Sequence, residues 1–404
     1  MTGMVIIGAG MAGHRAVIGL RASGHQGSVT LIGEEGWMPY DRPPLSKSAL
    51  TDETEPLPVW LMDDDIARSL KADTRCGVSV EHIDRAARTV RLSDASILPY
   101  AKLLLATGAK PRRLTVPGGE NAWTLRNFDD ALALRKAFEP GRRIVLIGAG
   151  FIGLELAASA AKRGARVTVI EAQPRILMRG VPERIARIVH DRHEAEGVEL
   201  IVGAGIAAIG PHSVHLSDGR EISADTIVAG IGAAPDTRLA EDAGLAIDNG
   251  IAVDATLKTS DPDIYAAGDC CSFPHILFDG ARIRLEAWRN AQVQGTQAAE
   301  NMLGADKAYR AVPWFWSDQY DLSLQIAGLP AHGTGMVERK PGPDSLLLFH
   351  LDADGRLVGA SGIGSGNAIA RDVKLSEMLI AKGARPDVAA LADPSVALKS
   401  LLKG

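Results

Sequence analysis

The chain has 404 residues, which is enough for two or three domains that bury their cores without disulfides or metal ions. Its net charge is −5 and only 4% of its residues are aromatic, which argues against nucleic acid or an anionic membrane as a partner. Glycine is frequent, with 43 residues, and predicts many tight turns and close backbone approaches. We therefore expect a soluble, glycine-rich α/β enzyme.

Cysteine is scarce, with Cys76, Cys270 and Cys271 as its three residues, and their spacing matches neither a zinc nor an iron–sulfur motif. We therefore expect no metal site and no disulfide, which is typical of a cytoplasmic protein. The N-terminal residues lead into an apolar strand without a charged leader, and no run of about 18 apolar residues follows. The sequence predicts neither a signal peptide nor a membrane span.

A repeated segment is the most informative feature of the chain. Residues 5–13, VIIGAGMAG, recur at residues 145–153 as VLIGAGFIG. Each copy joins an apolar run, a Gly-x-Gly-x-x-Gly loop and a helical stretch, and a second apolar strand follows at residues 28–33 and 166–171. This order is typical of a dinucleotide-binding βαβ unit, so the sequence predicts two such units.

In the first unit, Gly8, Gly10 and Gly13 are expected to form the turn, admit a pyrophosphate and pack the helix against the strand. The backbone N–H groups that begin the helix would face the anion. Glu34 comes directly after the second strand and is expected to accept hydrogen bonds from a ribose, with Glu35 as the adjacent alternative.

In the second unit, Gly148, Gly150 and Gly153 have the same expected roles. The second strand ends on Glu171, whose carboxylate suits both ribose hydroxyls of NADH and repels the 2′-phosphate of NADPH. Arg175 could weaken this preference, but we expect NADH to be favoured.

Further strand-like segments end on glycine, at Gly108, Gly232 and Gly268, and short alternating runs and a helical tail begin near Trp314. The predicted fold class is therefore α/β, with two nested Rossmann-like dinucleotide-binding domains and a C-terminal α+β domain. The predicted boundaries are 1–112 with 245–318 for the first domain, 113–244 for the second and 319–404 for the third.

Longer motifs accompany the two units, namely PYDRPPLSK at residues 39–47, FIGLE at 151–155, RLEAWRNA at 284–291 and PWFWSDQY at 313–320. With the segments ATG at 106–108 and AGD at 267–269, the chain resembles the flavoprotein reductases of the glutathione reductase type. Within them it resembles the FAD-dependent NADH:ferredoxin reductases of bacterial oxygenase systems. The resemblance covers essentially the whole chain.

The resemblance implies a tightly bound FAD in the first unit and an exchangeable NADH in the second. The FAD contacts that it implies are Gly8, Gly10, Ala12, Gly13, Glu34, Arg42, Lys47, Val80, Thr107, Gly108, Arg126, Gly268, Asp269 and Trp288. The NAD contacts that it implies are Gly148, Gly150, Phe151, Ile152, Gly153, Glu171 and Gly232. It also implies that Lys47 pairs with Glu155 beside the flavin, as the catalytic pair.

Related disulfide reductases, NADH oxidases and peroxidases carry redox cysteines, whereas residues 43–47 here are PPLSK. The resemblance therefore implies that electrons leave the protein, for a [2Fe–2S] ferredoxin that docks transiently through complementary charge and supplies a cytochrome P450 or a Rieske-type oxygenase. Two alternatives stay open: an NADH-binding flavoprotein that acts mainly as a redox-sensing interaction protein, and an NADH oxidase or quinone reductase.

Overall fold

Residues 3–403 are described in the computed structural model, and they divide into two units. The first unit contains the residues up to Asp41 together with Pro58–Lys110 and Ala234–Pro313. The second unit contains Arg42–Leu57, Pro111–Ala233 and the residues from Trp314 onward. Each unit carries one of the two glycine loops.

A seven-stranded sheet forms the centre of the first unit. Strand Gly3–Ile7 lies between Val29–Gly33 and Ile97–Leu105 and is parallel to both. The strands in order across the sheet are Ala72–Cys76, Val29–Gly33, Gly3–Ile7, Ile97–Leu105, Thr89–Leu92 and Val80–Asp84, with Ile264–Ala266 also paired to Ile97–Leu105. The carboxyl ends of the parallel strands therefore meet at one edge, where the first glycine loop begins.

Two helices of the first unit, Met11–Ala22 and Trp288–Met302, pack closely because Gly295 presents no side chain. A Cβ at Gly295 would lie 2.1 Å from the Ala12 carbonyl oxygen. The other helices of this unit are Asp64–Ser69, Arg238–Asp242 and the 3₁₀ turn Ile276–Phe278, and a small sheet is formed by Ile251–Ala252, Cys271–His275 and Ala281–Ile283. Apolar side chains from the main sheet and both long helices form one core, in which each fully buried leucine or isoleucine stabilises the fold by about 1.5–3 kcal/mol.

The second unit begins with a parallel four-stranded sheet. Its order is Glu199–Val202, Arg166–Glu171, Arg143–Ile147 and Thr226–Ala229. A small antiparallel sheet is formed by Ile206–Ile209, Ser213–Leu216 and Glu221–Ser223. The helices of this part are Ser48–Thr51, Phe128–Ala137, Phe151–Lys162 and Glu183–Ala195, with 3₁₀ turns at Pro43–Ser46 and Gly119–Asn121. This is the second strand–loop–helix–strand unit that the repeat predicts.

From Trp314 onward the chain forms a five-stranded antiparallel sheet. Its order is Trp314–Gln319, Leu322–Gly328, Leu357–Ser365, Ser345–Leu351 and Gly335–Gly342. The helices are Ala370–Ala381 and Val388–Ala392, with 3₁₀ turns at Pro330–His332 and Leu398–Lys403, and the short strands Ala109–Pro111 and Ala233–Pro235 lie where the chain passes between the units. The predicted fold class is confirmed. Within residues 3–403, no helix combines the length and apolar composition needed to cross a membrane.

Two arginines anchor the segment Arg42–Leu57 within the second unit. Arg135, on the helix Phe128–Ala137, donates hydrogen bonds to the carbonyl oxygens of Ala49, Leu50, Asp52, Glu53 and Thr54. Arg163 donates to the Leu50 and Phe138 carbonyl oxygens at 2.9 and 2.6 Å. These bonds hold the segment that carries Lys47 against the helices beside it.

Four histidines are buried, namely His14, His193, His275 and His350, and burial lowers the pKa of each. The pKa falls to about 4 for His14, His193 and His350. A histidine in an unfolded chain has a pKa of about 6.5. At pH values between these two, the unfolded chain binds protons that the folded protein does not. The free energy of unfolding is therefore highest above the unfolded pKa and falls as the pH is lowered toward 4.

Replacing His350 with glutamine should reduce this acid sensitivity. His350 is 7% exposed and its Nε2 lies 3.0 Å from Ser361 Oγ, where a glutamine keeps a polar group that binds no proton. Urea unfolding should show a slope of unfolding free energy against pH that is smaller by about 1 kcal/mol per pH unit near pH 5. His82→Gln, at an exposed position, is the control and should leave the slope unchanged. Equal slopes for His350→Gln and the wild type would contradict the burial argument.

Candidate functional site

The first glycine loop leaves room for an anion at the start of the helix Met11–Ala22. Gly8 has φ +114°, and a Cβ there would lie 2.0 Å from the Ala106 carbonyl oxygen. Gly13 is equally confined, because its Cβ would lie 1.9 Å from the Gly8 carbonyl oxygen. A Cβ at Gly10, in contrast, would meet no protein atom within 4 Å. The middle glycine thus borders open space at a helix N-terminus, where a pyrophosphate fits.

Two further predicted FAD segments follow neighbouring parallel strands at the same sheet edge. Thr107 and Gly108 come after one strand, and Thr107 Oγ1 donates a hydrogen bond of 2.6 Å to a backbone carbonyl. Gly268 and Asp269 follow the other, and a Cβ on Gly268 would lie 3.2 Å from the Ala12 Cβ. The structure therefore brings these segments together around the first glycine loop.

The two acidic candidates after the second strand differ in their surroundings. Glu35 accepts a hydrogen bond of 2.5 Å from the hydroxyl of Tyr40, which is buried. Glu34 is exposed at the end of its strand. Of the two carboxylates, Glu34 is the better placed to receive a ribose from solvent, as its position in the sequence predicts.

Trp288 and Val80 are the remaining FAD candidates of the first unit. Trp288 begins the helix Trp288–Met302, and its indole Nε1 donates a hydrogen bond of 2.6 Å to Asp41 Oδ1. Val80 is buried at the start of a strand and belongs to the core of the unit. Their contacts with FAD stay predictions.

The second glycine loop repeats the geometry of the first. Gly148 has φ +101°, and a Cβ there would lie 2.6 Å from the Gly230 carbonyl oxygen. A Cβ at Gly153 would lie 2.0 Å from the Gly148 carbonyl oxygen, whereas one at Gly150 would meet no protein atom within 4 Å. The second unit therefore also offers open space at a helix N-terminus for a pyrophosphate.

Glu171 places a fixed negative charge beside this loop. Its two carboxylate oxygens accept hydrogen bonds of 2.8 Å from the backbone N–H groups of Ala149 and Gln173. The guanidinium of Arg175 is engaged in its own loop, where it donates to the carbonyl oxygens of Ile176, Leu177 and Val181. A carboxylate held in this way suits a ribose with free hydroxyls better than one that carries a 2′-phosphate, and this role of Glu171 stays a prediction.

Three further NAD candidates lie near the second glycine loop. Ile152, in the first turn of the helix Phe151–Lys162, is 46% exposed despite its apolar side chain. Phe151 packs edge-on against Phe315, with ring centroids 4.9 Å apart. Gly232 has φ +99°, and a Cβ there would meet only an arginine side-chain carbon at 4.0 Å. The exposed isoleucine and the open glycine are the features that a bound nucleotide would cover.

Lys47 and Glu155 form an ion pair within the second unit. Lys47 Nζ lies 2.8 Å from Glu155 Oε2, and the side chains are 28% and 5% exposed, respectively. A buried carboxylate is costly without a compensating charge, and Lys47 supplies that charge while it keeps its own contact with solvent. The contact that the resemblance implies is present, and its catalytic role stays a prediction.

Two serines complete the surroundings of this carboxylate. Ser46 Oγ donates to Glu155 Oε2 at 2.5 Å, and Ser317 Oγ donates to Glu155 Oε1 at 2.6 Å. Ser159 Oγ donates to the Ser46 carbonyl oxygen at 2.6 Å and so fixes the chain beside Lys47. Sequence reasoning missed both serine donors, although Ser46 lies within the PYDRPPLSK motif and Ser317 within PWFWSDQY.

Arg42 and Arg126 also lie together in the second unit. Arg42 Nη1 donates a hydrogen bond of 2.7 Å to the Arg126 carbonyl oxygen. The Arg126 N–H donates to Asp130 Oδ2 at 2.8 Å, beside the cap of the helix Phe128–Ala137. The two predicted FAD contacts are therefore neighbours in the structure.

Neither a metal centre nor a reactive thiol is evident in the described part of the chain. Among residues 3–403, no group of three or more His, Cys, Asp or Glu side chains could hold a metal ion. Cys270 and Cys271 are buried, and burial raises the pKa of both thiols. A thiol of raised pKa forms little thiolate and is a poor nucleophile, so these residues serve packing.

Known proteins share both the sequence pattern and the fold. The model of the pyridine nucleotide-disulphide oxidoreductase family matches residues 2–295, and a reductase C-terminal model matches residues 314–402. The chain belongs to the pyridine nucleotide-disulphide oxidoreductases. The anthranilate 1,2-dioxygenase system ferredoxin–NAD(+) reductase component of Burkholderia cepacia is 42% identical to this oxidoreductase over 98% of each chain.

Solved structures agree with the relatives. The oxidoreductase matches the covalent putidaredoxin reductase–putidaredoxin complex with a TM-score of 0.93 and 32% identity, covering 100% of this chain and 98% of that chain. It matches the ferredoxin reductase for the CYP199A2 system from Rhodopseudomonas palustris with a TM-score of 0.92 and 36% identity, covering 98% and 99%. The predicted family and the cofactors FAD and NAD(H) are confirmed, and the two glycine loops fit these dinucleotides.

Proposed function

We propose that this oxidoreductase is the NADH-dependent ferredoxin reductase of a bacterial oxygenase system. The observation that carries the proposal is the Lys47–Glu155 ion pair. Related NADH oxidases and peroxidases carry a redox cysteine in the segment that corresponds to residues 43–47. This chain has Lys47 there, paired with Glu155, and no cysteine. Because this segment holds no redox cysteine, the electrons from NADH pass to an acceptor outside the protein.

Bound FAD would supply the redox chemistry, namely hydride acceptance from NADH and release of single electrons. The residues of the chain bind, orient and neutralise charge. Gly10 and Gly150 admit the two pyrophosphates, and Glu171 orients the NADH ribose. Lys47 would help to hold FAD and would supply an ammonium to it, and Glu155 fixes the orientation of this ammonium.

The acceptor that we propose is a [2Fe–2S] ferredoxin, which in turn supplies a cytochrome P450 or a Rieske-type oxygenase. Relatives described as reductase components of dioxygenase systems, and a structural match described as the reductase for a CYP199A2 system, support this acceptor. Docking would be transient, with complementary charge setting its rate and orientation. The three unpaired cysteines suit a reducing compartment, so we place the reaction in the cytoplasm.

NADH turnover with a panel of purified acceptors tests this function. The FAD-loaded protein should oxidise NADH at least about tenfold faster with a suitable [2Fe–2S] ferredoxin than in air alone, and added salt should slow the ferredoxin-dependent rate. An iron-free ferredoxin is the matched control, and a soluble quinone tests the quinone reductase alternative. If quinone or oxygen accounts for all turnover, the protein is a quinone reductase or NADH oxidase and the proposal fails.

A further inference from the structure

A cluster of buried polar side chains, linked by hydrogen bonds, extends from Glu155 toward the surface of the second unit. Ser317 and Gln319 lie on the strand Trp314–Gln319, and His193 lies on the helix Glu183–Ala195. All three side chains are buried. Buried polar groups are costly unless each finds a partner, so a run of three in contact with an ion pair calls for an explanation.

The contact with Glu155 determines which atom donates in each hydrogen bond of this cluster. The Glu155 carboxylate pairs with Lys47 through Oε2, and Ser317 Oγ donates to its other oxygen, Oε1, at 2.6 Å. With its single proton used, Ser317 Oγ accepts from Gln319 Nε2 at 3.1 Å. The other end of that amide, Gln319 Oε1, then accepts from His193 Nε2 at 2.8 Å.

His193 and Tyr320 form the outer end of the cluster. Burial lowers the pKa of His193 to about 4, so at neutral pH its imidazole carries one proton, on Nε2. The unprotonated Nδ1 is 3.3 Å from the hydroxyl of Tyr320, which donates to it. Each hydrogen bond of the cluster is therefore donated in the direction of Glu155. In such an arrangement, successive hydrogen bonds strengthen one another.

Tyr320 is held at this outer end in an unusual conformation. Its φ of +56° is one that glycine or asparagine adopts more readily than an aromatic residue. Its ring packs edge-on against His193, with centroids 5.1 Å apart, and the guanidinium of Arg192 lies over the ring at 5.4 Å. Tyr320 is the first residue of the two-residue turn that joins Gln319 to Leu322, a position where tight hairpins often require a positive φ, and its ring contacts His193 from there.

We propose that Ser317, Gln319 and His193, which we call the positioning relay, orient the Glu155 carboxylate so that Oε2 faces Lys47. The inference rests on the proposed role of the Lys47–Glu155 pair in flavin reduction and adds three positioning residues to it. Oε1 is held by Ser317, and Ser317 is in turn prevented from rotating by Gln319. Without Gln319 the serine hydroxyl would be free to turn, and the ion pair would lose its fixed geometry.

A double-mutant cycle on the full chain tests the proposal without reference to catalysis. Lys47→Met, Gln319→Leu and the double variant are compared by their unfolding equilibrium constants in urea. In the Gln319→Leu background, Lys47→Met should change this constant about fivefold less than in the wild type, because the ion pair is already weakened. A Gln319 that only fills space would give additive effects, and an additive cycle overturns the proposal.

Flavin reduction gives a second readout in the FAD-loaded protein. Gln319→Leu should lower the limiting rate at saturating NADH at least about threefold and leave the half-saturating NADH concentration unchanged. Tyr320→Phe removes only a hydroxyl, and it replaces Gln319→Leu in the cycle if that variant fails to fold. The matched control is Gln325→Leu, which alters a buried glutamine on the neighbouring strand. In this variant, Lys47→Met should change the unfolding equilibrium constant as much as in the wild type, and the limiting rate of flavin reduction should equal that of the wild type.

The two proposals fail separately. If the wild type reduces no ferredoxin, the proposed function is wrong, but the unfolding cycle still decides whether the relay supports the ion pair. If Gln319→Leu and Gln325→Leu behave alike in the cycle, the relay is wrong and the ferredoxin assay is unaffected.

Discussion

Replacing Lys47 with methionine should slow flavin reduction by NADH at least about tenfold, which corresponds to about 1.4 kcal/mol of lost charge stabilisation. The substitution should also lower the free energy of unfolding by about 3 kcal/mol, because it leaves Glu155 as a buried, uncompensated carboxylate. Stopped-flow absorbance of the flavin measures the rate, and urea unfolding measures the stability. Methionine keeps most of the unbranched lysine side chain and lacks its terminal ammonium, so both effects report mainly the lost charge.

Two further variants separate charge from packing. Lys47→Met combined with Glu155→Gln should recover much of the lost stability, since neither partner is then a lone buried charge, while flavin reduction stays slow. Lys162→Met is the matched control, because Lys162 is exposed on the same helix as Glu155. Wild-type rates in Lys47→Met would remove this lysine from the proposed site.

Replacing Glu171 with glutamine should lower the preference for NADH over NADPH at least about tenfold. Glutamine keeps an acceptor oxygen for one of the two backbone N–H groups, those of Ala149 and Gln173, and leaves the other without its acceptor. It also loses the charge that strengthens a ribose hydrogen bond and repels a 2′-phosphate. The measurement is kcat/KM for each dinucleotide with a fixed acceptor. We expect the value for NADH to fall and that for NADPH to rise.

The controls for this change lie in the same unit. Glu221→Gln alters an exposed acid on a separate small sheet and should leave the preference unchanged. Arg175→Ala should also leave it unchanged, because the guanidinium bonds to its own loop. An unaltered preference in Glu171→Gln would mean that another group discriminates between the two dinucleotides.

The parts of the fold that could be predicted from sequence are those governed by local rules. The elements of each βαβ unit lie within a few dozen residues of one another: a glycine with positive φ, the start of a helix, and a strand followed by or ending on an acidic residue. The two units could therefore be predicted from the spacing of these elements. The position of Glu171 beside its loop follows from the same geometry, because the carboxyl ends of neighbouring parallel strands share an edge.

The donors around Glu155 could not be predicted in this way. Ser46 and Ser317 are 109 and 162 positions away from Glu155 in the chain, and no periodicity connects them. Their meeting is a result of how the second unit packs, and a serine within a motif gives no sign of which carboxylate it will contact. The resemblance supplied the Lys47–Glu155 pair, whereas the relay beyond it became visible only through three-dimensional packing.

The bonds from Arg135 and Arg163 to the segment Arg42–Leu57 have a consequence for engineering. An exchange of the second dinucleotide-binding domain between homologues, cut as one continuous block near residues 111–233, would transplant Glu155 and leave Lys47 behind. Such a chimera would inherit a lysine fitted to one parent and a carboxylate fitted to the other. The recombination unit that preserves the ion pair is discontinuous and includes residues 42–57.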